Sequence, residues 1–474
     1  MKKLVLARRL SQVFFLSLFI YILWSTRHAD IFFKIDPLVS IFTSIGARQA
    51  LPGIMLSIAM LVMTFVLGRF FCCWVCPLGA IIDICGTKAK NRDLNPRQVK
   101  YYILGFIFIC AVLGVQIAWV FDPIVITARF ISLNFIPSLV LVLDKTFVFI
   151  IKGLNFYSPL YDFYRSLKSS LLGVKIYYFS HASIAFIFFI IICGLAAITR
   201  RFWCRMLCPL GALYALAAKS SLLRRYAEKC SKCLRCRSEC RMGAIKEDIS
   251  YRKEECILCM DCIYDCPTHG TRFAWSIRKA TSNAKGAISR KDFLFLILSS
   301  IFLLGFRNRD GVENKNVIRP PGVLSESEFL NKCIRCGNCM KVCPTNGLQP
   351  VMFESGLNGV WTPHLVPEIG YCEYNCNLCG NACPTGAIPK LSVVEKQGKR
   401  LGLAGIDRTI CVAWAQNKEC IVCEEHCPVS GKAVKVYKEA GILKPYIDSS
   451  LCIGCGICQN KCPTRPLRAI RVKP

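Results

Sequence analysis

Acidic residues are scarce in this chain. Among its 474 residues, 30 Asp and Glu face 61 Lys and Arg, a formal net charge of +31. Histidine is scarcer, with five. No Cys-x-x-Cys-His occurs, which excludes attachment of a c-type haem. His28 and His181, at the ends of apolar runs, are too few and too peripheral for a bis-histidine haem. No Gly-x-Gly-x-x-Gly follows a strand, so no nicotinamide site is visible. The positive excess suits a nucleic-acid partner at first sight, but no nucleic-acid motif accompanies it and none is expected. The basic flanks of membrane segments produce the same excess.

Cysteine, by contrast, is abundant. There are 32, and 24 of them fall into six runs of four. Cys333, Cys336, Cys339 and Cys343, followed by Pro344, have the 2-2-3 spacing of a bacterial ferredoxin run. Cys256, Cys259, Cys262 and Cys266 repeat it before Pro267, as do Cys452, Cys455, Cys458 and Cys462 before Pro463. Cys230, Cys233, Cys236 and Cys240 keep the spacing, with Arg241 in the proline position. Cys372, Cys376, Cys379 and Cys383 widen the first gap to three, and Cys411, Cys420, Cys423 and Cys427 widen it to eight. Zinc ribbons hold two cysteine pairs far apart, and disulfides would not repeat one spacing beside proline. Six [4Fe-4S] clusters are therefore expected. Each brings about two negative charges when oxidised, so together they offset roughly twelve of the positive ones.

In such runs the fourth cysteine serves the neighbouring cluster. The expected sets are Cys230, Cys233, Cys236 with Cys266, and Cys256, Cys259, Cys262 with Cys240. In the last third of the chain they are Cys333, Cys336, Cys339 with Cys383, and Cys372, Cys376, Cys379 with Cys343. The remaining two are Cys411, Cys420, Cys423 with Cys462, and Cys452, Cys455, Cys458 with Cys427.

Mean hydropathy is +0.41 and 54% of residues are hydrophobic. Apolar runs at 13–24, 51–67, 101–120 and 182–198 approach the ~20 residues a membrane helix needs. Lys2, Lys3, Arg8 and Arg9 hold the N-terminus inside, and no small-residue cleavage site follows Trp24. The second and fourth runs end alike, in Arg69-Phe70-Phe71-Cys72-x3-Cys76-Pro77-Leu78-Gly79-Ala80 and Arg201-Phe202-Trp203-Cys204-x3-Cys208-Pro209-Leu210-Gly211-Ala212. With Asp36-Pro37 and Asp122-Pro123 at matching places, this is an internal repeat. Leu38, Ile41, Phe42 and Ile45 suggest a short helix on the outer surface. Phe130 to Ile151, interrupted by Asp144 and Lys145, reads as interfacial; two extra crossings there would leave the later topology unchanged. A linker from about Ser276 leads to Ser289-Arg290-Lys291-Asp292-Phe293-Leu294, which resembles a twin-arginine export signal, and to an apolar run ending at Phe306. That run reads as a fifth crossing.

Eight cysteines lie outside the runs. Cys110 and Cys193 read as apolar fillers, and Cys73 and Cys85 have no counterpart in the repeat. Cys72, Cys76, Cys204 and Cys208 are equivalent pairs. If the halves pack about a pseudo-twofold axis, four thiols converge, a set that suits an additional iron–sulfur cluster, copper(I) or zinc, or unused thiols in a packing motif. His28, His181, Asp30, Asp36 and Asp122 are outer-side groups that could take quinol protons, and more often such residues are interfacial anchors.

On both Cys-x3-Cys-Pro repeats and the two following runs, residues 1 to about 275 resemble NapH, the quinol dehydrogenase subunit of periplasmic nitrate reductase systems. On the export-like segment and the run order 2-2-3, 3-2-3, 8-2-3, 2-2-3, residues from about 289 resemble NapG and the related MauM ferredoxins. NosR-type regulators share the membrane half, but no flavin-attachment motif is present. The resemblance implies a NapH–NapG-like fusion at a bacterial inner membrane, oxidising menaquinol or ubiquinol and delivering electrons to a periplasmic reductase. The alternative is a metal-handling, copper-reductase-like (CcoG-type) or maturation polyferredoxin.

The expected fold is an α-helical membrane domain of four spans and one further anchor, joined to α+β ferredoxin-like domains. Residues 1–225 form the membrane domain and 226–275 a cytoplasmic two-cluster domain. Residues 276–324 form a linker with the fifth span, and 325–474 a periplasmic four-cluster domain. The expected partners are the membrane, the quinone pool and a redox protein, soluble or membrane-bound.

Overall fold

A computed structural model describes residues 2–25, 30–87, 89, 97–154, 159–168, 178–228, 230–276, 298–300, 317–323, 325–439 and 441–474. The helices run in chain order α1 Lys2–Ser25, α2 Ile31–Ile35, α3 Pro37–Ala47, α4 Ile54–Leu67, α5 Phe71–Trp74, α6 Pro77–Cys85 and α7 Val99–Val112. Then come α8 Pro123–Phe130, a π-turn Ile131–Phe135, α9 Ile136–Leu154, α10 Pro159–Leu167, α11 Ala182–Ile198, α12 Phe202–Met206 and α13 Pro209–Ala218.

The repeat is a repeat of helix starts. Asp36 and Asp122 cap α3 and α8, each accepting from two backbone N–H groups ahead of it, with proline at the first helical position. Cys76 and Cys208 do the same for α6 and α13: their sulfurs accept from Gly79 N at 3.4 Å and Gly211 N at 3.2 Å. Proline there gives up an N–H that has no helical partner anyway.

The chain divides into two discontinuous units, 1–128 with 184–309, and 129–183 with 310–474. In the first, α13 is almost wholly buried and packs against α7, α4 and α3. Strands β1 Leu223–Ala227 and β2 Thr271–Trp275 pair antiparallel and bracket the first two cysteine runs. This sheet begins at 223, upstream of the expected boundary at 226. In the second unit, three short antiparallel strand pairings carry the other runs. They are β3 Leu348–Pro350 with β4 Pro363–Leu365, β5 Leu403–Ile406 with β8 Ile470–Lys473, and β6 Val434–Glu439 with β7 Ile442–Ile447, besides the bridge of Ile318 to Leu365. Its main core joins Leu133 and Phe179 to Phe329, Leu348 and the cysteines of the third run.

The expected runs form helices of unequal length. Among the described residues, two helical stretches are long and apolar enough to cross a membrane, Lys3–Ser25 and Pro123–Lys152. The runs at 51–67, 101–120 and 182–198 form helices of 14, 14 and 17 residues. Gly53 and Gly68 bound α4, and α7 stops at Leu113-Gly114. Hydropathy does not register those breaks. The stretch read as interfacial is instead a 30-residue helical run, and α3 is a buried helix rather than a surface one. Asp144 does not interrupt α9 because Lys168 pairs with it at 2.6 Å. The export-like segment lies outside the described residues, as does the proposed fifth crossing apart from 298–300.

Candidate iron–sulfur sites

The structure gathers the thiols in crossed sets. Cys333, Cys336, Cys339 and Cys383 line one cavity, and Cys343, Cys372, Cys376 and Cys379 a second. Cys240 joins Cys256, Cys259 and Cys262 in a third, and Cys427 joins Cys452, Cys455 and Cys458 in a fourth. Cys411, Cys420, Cys423 and Cys462 share one apolar cluster. Cys236 lies within electrostatic reach of Cys230, Cys233 and Cys266.

The backbone around these sets is shaped for an anionic guest. In four runs the residue before the second cysteine is left-handed, at Lys232, Leu258, Arg335 and Gly454. So is the residue after it, at Leu234, Met260, Gly337 and Gly456. Such a conformation costs a non-glycine residue roughly 1–3 kcal/mol, and it turns successive N–H groups toward one concave centre. Burial pushes the Cys336, Cys423 and Cys455 thiols up to about 12. At neutral pH these three thiols therefore hold protons unless iron displaces them. In four runs Thr follows Cys-Pro, with the hydroxyls of Thr268, Thr345, Thr385 and Thr464 3.2–3.9 Å from sulfur. Burial raises Cys266 and Cys462, but the Thr hydroxyls and nearby N–H groups outweigh it and hold both thiols below their usual value.

The last four sets form a series whose order differs from the chain's. Cys339 is within electrostatic reach of Cys379. Cys372 N donates to Cys455 O at 2.8 Å, and Cys458 is within reach of Cys423. The order is thus the Cys333 set, the Cys372 set, the Cys452 set and the Cys411 set. The Cys333 set faces the helical segment of its own unit: Arg129 Nε donates to Arg335 O at 2.9 Å and its guanidinium covers the Trp361 ring at 4.3 Å.

Cys72, Cys76, Cys204 and Cys208 are buried and brought together, Cys208 lying within electrostatic reach of the other three. Two arginines of the repeat cross between its halves. Arg201 Nη1 donates to Cys72 O at 2.9 Å, and Arg69 packs so closely on Gly211 that a methyl group there would meet its Nη2 at 2.9 Å. Among the described residues no three His, Cys, Asp or Glu converge closely enough for a single metal ion, so all the thiol sets are more open than a one-ion site. Cys193, read as a filler, lies within electrostatic reach of Cys85.

The two-run region is seated on these helices by ions. Glu255 receives Lys100 Nζ at 2.5 and 2.7 Å and Arg69 Nη1 at 3.0 Å. Burial would raise its carboxyl, but Lys100 and Arg69 outweigh that and hold it below the usual carboxylate range. Arg241, in the proline position, bonds Asp261 at 2.5 Å and Asp83 at 3.1 Å. Asp83 is also clamped by Arg201, and Asp261 by Arg8. Trp74 Nε1 donates to Leu258 O at 3.1 Å, between two cysteines of the second run. No motif assigns Glu255, Asp83 or Asp261 a role, although Arg241 already broke its run and Arg69 and Arg201 were already repeated. Of the outer-side candidates, Asp36 and Asp122 are fully buried caps rather than surface anchors, and Asp30 pairs with Lys34 at 2.5 Å. His28 lies outside the described residues.

Comparison with known proteins agrees with this geometry. Residues 49–91 and 182–227 match a 4Fe-4S binding domain, residues 445–468 match a second model of that description, and residues 332–388 match a 4Fe-4S dicluster domain. The methylamine utilization ferredoxin-type protein MauM of Methylophilus methylotrophus is 34% identical over 34% of this chain and 71% of its own length. The ferredoxin-type protein NapG of Escherichia coli K12 is 33% identical over 33% of this chain and 70% of its own. The chain belongs to the MauM and NapG family of ferredoxin-type proteins. A third relative of this ferredoxin-type protein, the putative electron transport protein YccM of Escherichia coli K12, is 27% identical over 55% of this chain and 66% of its own. No solved structure matches it. It carries multiple 4Fe-4S domains and serves electron transfer.

Proposed function

We propose that the protein oxidises quinol at a bacterial inner membrane and passes electrons outward through its last four thiol sets to a periplasmic reductase. One observation carries this reading: those sets form one continuous series whose first member packs on the helical segment 129–135 and whose last is bounded by the exposed loop 415–419. The crossed sets would hold six [4Fe-4S] clusters, which supply one-electron carriers when bound. Cys72, Cys76, Cys204 and Cys208 would hold a further centre, in keeping with the 4Fe-4S model that matches around them. The chain's own part is to fix spacing, exclude water and neutralise charge with Arg69, Arg201 and Arg129.

Membrane placement is supported by broad apolar faces. Met55, Val62 and Phe65 on α4, and Ile187 and Ile191 on α11, are among the exposed large side chains. Such faces are rare on soluble monomers and fit lipid. The outer side for residues 317–474 is supported by their packing against the connection between α7 and α11, which the positive-inside reading places outside. The cytoplasmic side for residues 223–275 follows from the basic flank that precedes them. Their two sets join the membrane thiols through Trp74 and Leu258, which makes them an electron entrance or exit on the inner side.

The test is reconstituted protein given menaquinol or ubiquinol, read by bleaching of the iron–sulfur absorption. Bleaching is expected; no reduction by either quinol sinks the reading. Topology reporters after Ala274 and at Pro474 should report inside and outside respectively, and two inside reports overturn the periplasmic role.

A further inference from the structure

Charge is unevenly shared along the last four thiol sets. Residues 317–398 hold six Lys and Arg and six Asp and Glu, whereas residues 399–474 hold thirteen and six. The first stretch pairs its ions: Arg319 meets Glu326, and Lys332 meets Glu328 at 2.7 Å. Residues 449–474 hold five Lys and Arg and no acid.

Three of those five gather at one thiol. Cys462 shares the apolar cluster of Cys411, Cys420 and Cys423. Arg465 Nη1 donates to Cys462 O at 2.7 Å and to Thr464 O at 2.9 Å. Arg468 Nη1 donates to the same Cys462 O, and Arg471 Nε donates to Arg468 O at 3.0 Å. These acceptors are all backbone carbonyls; among the described residues no carboxylate forms an ion pair with any of the three arginines. Asp407, just beyond β5, bonds Ala469 O through its N–H at 2.7 Å and turns Oδ1 to Thr409 N at 3.1 Å. A guanidinium carries five donors in a planar fork, so each arginine keeps most of its fork for an outside acceptor. Such forks suit carboxylates, which they bind in pairs of hydrogen bonds. Between Arg465 and Arg468, Leu467 is 59% exposed. An apolar tip flanked by arginines has the composition of a protein-binding hot spot. A protein fits it better than a lipid surface, since the set that packs on the helical segment 129–135 is the Cys333 set, not this one.

We propose that Arg465, Arg468, Arg471 and Leu467 form the docking surface for an acidic electron-accepting protein, whose carboxylates engage the free guanidinium nitrogens. This rests on the outward delivery proposed above and gives the chemistry of its recipient. With about two negative charges for each oxidised cluster, residues 317–398 become negative while 399–474 stay positive. An acidic partner is thereby turned away from the Cys333 end and drawn to the Cys411 end.

The test uses the full chain in detergent, its clusters reduced by dithionite and the excess removed. The probes are two soluble haem proteins, acidic cytochrome b5 and basic cytochrome c. Reduction of cytochrome b5 is expected to slow about tenfold as salt rises from about 10 to about 100 mM, over which the screening length falls from about 30 to about 10 Å. The triple variant Arg465→Gln/Arg468→Gln/Arg471→Gln keeps an N–H donor at each position. Its calorimetric affinity for cytochrome b5, and the rate, should fall about tenfold and lose their salt dependence, with iron content kept and the loss confined to the acidic acceptor. Arg465→Lys/Arg468→Lys/Arg471→Lys should retain most of both. Affinity unchanged in the Gln protein overturns the proposal. Equal losses in the Gln and Lys proteins do so too, because the arginines would then serve only to hold the Cys462 turn. Arginine-dependent binding of phosphatidylglycerol without any effect on cytochrome b5 gives the surface to lipid and also overturns it. Affinity lost with the rate kept upholds the surface and overturns delivery through the last set.

Discussion

Residues 223–275 reach their helices through buried ions, whereas residues 317–474 reach the segment 129–183 through apolar side chains and carbonyl oxygens. In the first case Glu255, Asp261 and Asp83 meet Lys100, Arg69, Arg8, Arg241 and Arg201. In the second, Leu133 and Phe179 enter the core, Arg129 bonds a carbonyl, and Asn346 and Gln349 both donate to Tyr178 O at 2.7 and 3.1 Å. The difference has consequences. A buried ion network fails where a removed member leaves its partners charged and without another counter-ion. An apolar seat loses area and packing, and loses them by degrees.

The largest effect expected is from iron removal. Cysteines make up much of the core clusters in residues 317–474, while α13 and its neighbours pack on Ala, Leu and Tyr. Chelation under reducing conditions should therefore abolish amide-exchange protection across 317–474 and leave it on α4, α7 and α13. Uniform loss in both would break the comparison.

Next is Glu255→Ala, which strands Arg69 and Lys100 and should destabilise the seat by about 3–5 kcal/mol. Limited proteolysis should then cut within 223–275 and spare 317–474. Acid should act the same way. The folded carboxyl is held below its unfolded value, so its contribution is complete above the ordinary carboxylate range and is lost as pH falls through the folded value. Release of 223–275 on acidification should be blunted in Glu255→Gln relative to that variant's own neutral baseline.

Leu133→Ala should cost about 2–5 kcal/mol, confined to the other seat and read as faster exchange around Phe329 and Met340. The smallest effect expected is from Arg241→Pro, which restores the usual run. Asp83 keeps Arg201 and Asp261 keeps Arg8, so the loss should be about 1 kcal/mol or less, measured as a small shift in denaturation midpoint. A loss as large as that of Glu255→Ala would show that Arg241 closes the network.

The cysteine sets were legible because a cube of iron and sulfur constrains a few neighbouring residues, and Cys-x2-Cys with a left-handed residue between is a local solution. The helix after Asp36 was legible for the same reason, as Asp36-Pro37 acts within one turn; the matching starts at Cys76-Pro77 and Cys208-Pro209 were seen only as a repeat. The lengths of α4 and α7 were not, since Gly53, Gly68 and Gly114 end them without altering hydropathy enough to register. Asp144 was misread because its partner, Lys168, lies across a later helix. The crossing of Arg69 and Arg201 and the order of the last four sets each depend on residues far apart in the chain. Spacing written in sequence records what a short segment must wrap; only tertiary packing decides which segments face one another.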